Sequence, residues 1–146
     1  MAVESPLLHI GYLLSGADYR NSTYSGTTHG GNAGSPQFQF VRLSTVADLT
    51  VLLTTLAGQP ALGVLQNKPN TGEAADVGFM GVSKVVCGTT TVVAGLKIMA
   101  DSSGCAVAYS SAADRAAAGI ALETPQAVGA VFSAFIFGAG GPGSIA

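Results

Sequence analysis

Ala61-Leu-Gly-Val-Leu-Gln-Asn-Lys-Pro69 and Ala117-Ala-Gly-Ile-Ala-Leu-Glu-Thr-Pro125 are the two stretches on which the reading of this chain turns. In each, a glycine (Gly63, Gly119) opens an apolar run and a proline (Pro69, Pro125) closes it. A further glycine follows each proline, Gly72 and Gly129, and a new apolar segment begins after it. The order is strand, proline-containing loop, glycine turn, strand, used twice. This degenerate internal repeat predicts a mainly β chain: a small β-barrel or β-sandwich-like domain built on two hairpins of one design.

Composition bounds the rest. A chain of 146 residues is one domain, long enough to bury roughly two-thirds of its unfolded surface. Charged residues are 10%, against about 25% in ordinary domains. A surface so poor in charge is expected to be covered by small polar residues or by a neighbour. The six Lys and Arg, at a net charge of −2, are scattered. With no basic stripe and no Trp, nucleic acid is excluded as a partner. No apolar run reaches the length of a membrane span, and Met1-Ala-Val-Glu-Ser-Pro6 has no cationic start of a signal peptide. Cys87 and Cys105 each sit in an apolar context and read as buried thiols rather than a disulfide scaffold.

Three parts follow from the chain in order. Residues 1–36 read as an extended N-terminal arm. Leu7, Leu8, Ile10, Tyr12, Leu13 and Leu14 form an apolar cluster, followed by a run rich in Gly, Ser, Thr and Asn that contains Tyr19 and Tyr24. Such a run buries too little apolar surface to order itself, so the arm is expected to order on a partner. Residues 37–138 read as the β domain. Gln37–Leu43 alternates with period two. Leu49–Leu56 fits both a strand and one helical face, and its β-branched content with Gly58-Gln-Pro60 favours a strand. Ala75–Cys87 is the longest strand candidate, with a bulge or bend at Gly78 and Gly81. Asp101-Ser-Ser-Gly104 is a tight turn joining Leu96–Met99 to Cys105–Tyr109. Ser110–Ala118 reads equally as one helical turn or a surface loop. Ala130–Phe137 is apolar at nearly every position and is expected to be buried on both faces. Residues 139–146 read as a flexible Gly-rich tail.

No catalytic constellation emerges. Gly138-x-Gly140-x-x-Gly143 matches the dinucleotide fingerprint in letters, but Pro142 interrupts it and no helix follows. His9 and His29 are twenty residues apart with no companion ligand, so no metal site is expected. A Gly-x-Ser-x-Gly elbow is absent, and the acids are spread singly rather than paired for acid–base work. Glu123, directly after a buried strand, is a candidate for a charge-assisted contact at a subunit boundary. The expectation is a protein that is not an enzyme and carries no cofactor.

From about Phe38 onward an ordered set of elements resembles the small capsid cement, or head decoration, proteins of tailed bacteriophages. The set is Phe40-Val-Arg-Leu43, Ala61–Gln66 with Pro69 and Gly72, Gly81-Val-Ser-Lys-Val85, Ala94–Ile98, Asp101–Val107 and Ala118–Glu123. The resemblance implies a β-rich domain on the outer surface of an icosahedral head, with the major capsid protein as partner and a homotrimer as the working form. The long arm departs from the shortest members. Under this reading the contact residues are Leu7, Leu8, Ile10, Tyr12, Leu13, Leu14, Tyr19 and Tyr24 of the arm, Glu123, and Phe132, Phe135 and Phe137 near a trimer centre. The alternative is a receptor- or glycan-binding module of a virion fibre or spike, for which Tyr12, Tyr19 and Tyr24 are the visible source of aromatic contacts.

Overall fold

Every regular element among the described residues is a strand, as the alternating and short apolar runs predict. The computed structural model describes residues 8–14 (as backbone), 36–46, 48–69, 74–112 and 115–137. The strands are β1 (Leu8–Leu14), β2 (Phe40–Leu43), β3 (Thr50–Leu53), β4 (Gly63–Leu65), β5 (Ala74–Val86), β6 (Lys97–Ala100), β7 (Ala106–Ala108), β8 (Gly119–Ala121) and β9 (Val131–Ile136). They form one sheet in the order β1-β3-β2-β4-β5-β9-β8-β6-β7, and β1 also pairs with β5.

That last pairing closes a ring. β1 runs parallel to β3 and antiparallel to Ala74–Met80 of β5, so β1, β3, β2, β4 and the first half of β5 form a closed set of five. The second half, Gly81–Val86, pairs with β9 and starts a second set that runs through β8, β6 and β7. A parallel bridge between Cys87 and Ala106 brings this set back to the end of β5. Gly81, with φ +118°, marks the bend between the halves.

The hairpin repeat legible in the sequence is part of a larger one. Val41 pairs with Gly63 as Ile98 pairs with Gly119. Val41 faces Leu53 on its other side as Ile98 faces Ala108. Leu65 pairs with Val77 as Ala121 pairs with Ala134. Tyr12 opposite Ala75 corresponds to Val85 opposite Phe132, and Leu14 opposite Val51 to Cys87 opposite Ala106. The second half of β5 therefore does for the second ring what β1 does for the first.

Burial follows the two rings. Val41, Val51, Leu53, Leu65, Ala75 and Val77 fill the first. A second cluster includes Val85, Ile98, Ala106, Phe132, Ala134 and Ile136. Phe40 and Val64 project from the opposite face of β2 and β4 and join this second cluster, which packs the rings together. Cys87 and Cys105 are free and buried.

Of three local expectations, one is borne out over a shorter span and two are corrected. Leu49–Leu56 contributes a shorter strand, Thr50–Leu53, preceded by a turn. Phe38 is not in a strand: it lies in a turn whose Gln39 N–H donates to the Pro36 carbonyl at 3.1 Å, and β2 begins at Phe40. β9 is not buried on both faces: Phe132, Ala134 and Ile136 point inward and Val131 and Phe135 outward. The Asp101 turn forms as predicted, its Oδ1 accepting from the N–H of Ser103 and Cys105 at 2.7 and 2.9 Å.

The glycines that begin the repeated stretch have a packing reason. A Cβ on Gly63 would lie 2.5 Å from the Gly78 carbonyl oxygen, and one on the equivalent Gly119 would overlap the carbonyl oxygen of Phe135. Both obstacles are backbone of the paired strand and cannot rotate away. Gly63→Ala and Gly119→Ala are each expected to destabilise by about 1–3 kcal/mol or more in urea unfolding; an unchanged midpoint would contradict this close approach.

Two non-glycine residues among those described have positive φ, Phe38 at 65° and Leu49 at 50°. By register their counterparts in the second half are Gly95 and Gly104, at 87° and 80°. The first half thus holds large apolar side chains in left-handed backbone where the second uses glycine, a conformation that costs roughly 1–2 kcal/mol for a residue with a Cβ. Lys84 Nζ lies 5.8 Å from the Phe38 ring centroid, which partly offsets that cost. Phe38→Gly should therefore be more stable than Phe38→Ala by about 1 kcal/mol in thermal or urea unfolding, since both lose the ring and only one keeps the strain.

Candidate functional site

The outward face of β9 and its two neighbours is the candidate site. Phe135 is paired with Ile120 of β8 on one side and Val82 of β5 on the other. Residues opposite each other in an antiparallel pair share a face, so the three make an apolar row across three strands. Phe135 is 40% and Val82 43% exposed, and Ile120 is half-buried. The Phe137 ring meets Phe135 edge to face, centroids 6.0 Å apart, a favoured aromatic geometry.

Two lysines border the row. Lys84 is paired with Ser133 and Lys97 with Ile120. Both are exposed, and Lys97 Nζ lies 6.0 Å from the Tyr109 ring centroid as Lys84 Nζ lies over Phe38. The same positions in the first half are occupied differently. The counterparts of Lys97, Ile120 and Phe135 are Phe40, Val64 and Gly78, and all three are buried within the chain. The first repeat's face is covered by the second ring, whereas the second repeat's face stays partly exposed among the described residues.

The expected contact residues separate in space. Phe135 and Phe137 come together on the open face, while Phe132 is 3% exposed and belongs to the core. Leu8, Ile10, Tyr12, Leu13 and Leu14 lie on β1, whose backbone pairs with β5 and β3 of the same chain. The segment 1–36 expected as an arm thus contains a strand of the chain's own sheet. Leu7, Tyr19, Tyr24 and His29 fall outside the described residues, as does the tail 139–146. Val82, Ile120 and the lysines were not singled out from the sequence. The available signal was the alternation of Val82, Lys84 and Val86 against Ser83 and Val85, which is silent about which face is covered.

Glu123 is exposed, and its Oε2 accepts a hydrogen bond from the Ser133 N–H at 2.8 Å. The equivalent bond in the first half runs from the Asp76 N–H to Asn67 Oδ1 at 2.9 Å. The carboxylate therefore ties β8's exit to β9, the job an amide does in the other repeat. Hydrogen bonding from the Ser133 backbone N–H, and next from its side chain, holds the Glu123 carboxyl below its usual range. Burial, with Asp101 nearby, pushes the Cys105 thiol up to about 12, and burial also raises Cys87. Neither thiol has the lowered pKa of a reactive cysteine. Among the described residues no three His, Cys, Asp or Glu side chains are grouped to hold a metal ion, and no helix is long and apolar enough to cross a membrane.

No family model matches the chain, and no curated protein matches it in sequence. Its fold does match a solved structure. It is similar to the head fiber gp8.5 N base of bacteriophage phi29, with a TM-score of 0.61 at 12% identity, over 90% of this chain and 94% of that one. At that identity the likeness establishes the shared fold.

The Glu123 bond has a pH signature. Because the folded-state pKa is lowered, its contribution is present above the ordinary carboxylate pKa and is lost as the pH falls through the lowered value. The melting-temperature difference between the natural chain and Glu123→Gln should shrink on acidification to the low side of the carboxylate range; a difference constant with pH would contradict the bond's charged character.

Proposed function

We propose that this chain is a structural virion protein that binds the outer surface of an icosahedral phage head and cements neighbouring capsomers against the pressure of packaged DNA. Its partners are the major capsid protein and further copies of itself, working as a homotrimer, and it performs no catalysis. The observation that carries this reading is the fold it shares with a phage head fiber base along 90% of its length. The exposed Ile120–Phe135–Val82 row and a charged content of only 10% support it, since both suit a surface made to be covered by protein.

The physical mechanism is linkage. Packaged DNA strains the seams between capsomers. A protein that binds across a seam only in the expanded shell stabilises that shell by its binding free energy. No chemistry is required, and a broad contact of small and apolar residues suffices. The shared fold also favours a second reading, in which the chain is the base that fixes a receptor- or glycan-binding fibre to the head.

Adding the purified chain to expanded heads that lack it tests both readings. Cementing predicts saturable co-sedimentation and DNA release at a higher temperature. Binding with no gain in heat resistance is the outcome expected of a fibre base, and absence of binding by the intact chain ends both readings.

A further inference from the structure

The two repeats differ at one hairpin tip and at one sheet face. The tip is the β2–β3 connection of the first repeat. Val46 is 92% and Leu49 70% exposed there, and Leu49 holds left-handed backbone at φ 50°. The equivalent connection of the second repeat is Asp101-Ser-Ser-Gly104, with polar side chains and glycine at the left-handed position. The second repeat closes a connection two residues shorter with polar side chains and a glycine in left-handed backbone. The first repeat instead keeps a branched apolar residue in an unfavourable conformation and holds another out in water. Strain of this kind collects at functional positions.

The face is the Ile120–Phe135–Val82 row. Its counterpart in the first repeat, Val64 and Gly78, is buried within the chain. Among the described residues the chain therefore carries an exposed apolar tip on the first repeat and a partly exposed apolar row on the second. The charges match as well: Asp48 is exposed beside Leu49 on the tip, and Lys84 and Lys97 are exposed beside the row.

We propose that copies of this chain associate head to tail, the exposed Val46 and Leu49 side chains of one copy seated on the Ile120–Phe135–Val82 face of the next. Burial of the exposed branched and aromatic side chains drives the contact. Asp48 against Lys84 and Lys97 sets its orientation. A contact between two different patches is heterologous and closes into a ring when its rotation divides a full turn. This inference rests on the reading of the chain as a homo-oligomer and supplies its contact; it does not depend on binding to a head.

Complementation between two variants tests it. The tip variant is Val46→Ser with Leu49→Gly, which gives the tip the glycine its twin already has. The face variant is Phe135→Thr, an exposed strand position kept β-compatible. Circular dichroism and thermal melts verify that both fold. In analytical ultracentrifugation over a range of concentrations, the natural chain is expected to be oligomeric and each variant alone monomeric. An equimolar mixture is expected to form one-to-one dimers, because the tip variant keeps an intact face and the face variant an intact tip. A monomeric natural chain, an oligomer retained by either variant, or a mixture that stays monomeric each overturns the proposal. A chain that assembles in this way yet fails to sediment with heads would leave this contact standing and remove only the head-binding reading.

Discussion

The backbone hydrogen bonds of β5 are the constraint on which the rest of the molecule depends. Along Ala74–Met80 that strand is paired with β1 and β4; along Gly81–Val86 it is paired with β9. One continuous strand thus serves both rings, and neither ring is complete without it. A buried strand whose partners were lost would leave unsatisfied donors and acceptors, each costing about 1–3 kcal/mol. Gly81, at φ +118° within the long strand, lies where it passes from one ring into the next.

Repetition of one plan makes the departures from it informative. Glu123 replaces Asn67 at a bond of the same geometry, so a charge there is structural. Phe38 and Leu49 replace glycines, and in doing so place large apolar groups where backbone economy alone would not. Lys97, Ile120 and Phe135 replace buried Phe40, Val64 and Gly78, which moves a sheet face from interior to surface. The first repeat was free to use its face for packing the two rings together. Among the described residues the corresponding face of the second stays partly exposed, and a neighbouring molecule is its cover in the reading proposed above.

The thiols are desolvated, which raises their pKa values. Gln39 is buried and directs its Nε2 to the Ser103 carbonyl and Cys105 Sγ, joining the start of β2 to the Asp101 turn of the other repeat. Thr54 does likewise, its hydroxyl donating to the Asp101 carbonyl at 2.9 Å. These polar side chains bind one half of the chain to the other.

Sequence alone determined the mainly β character, the repeated hairpins and the Asp101 turn. Each of these is local: period-two alternation, glycine and proline spacing, and a side chain reaching two to four residues along its own backbone leave their mark in short stretches. It did not determine that Leu8–Leu14 closes a ring, because a strand seven residues long gives no sign of which distant edge accepts it. Nor did it separate Phe132 from Phe135. Both lie in one apolar run, and only the packing of β9 between β5 and β8 decides which ring enters the core and which stays at the surface. The open face and the strained tip are differences between two halves of one fold, and they became visible once the tertiary pairing set each residue beside its counterpart.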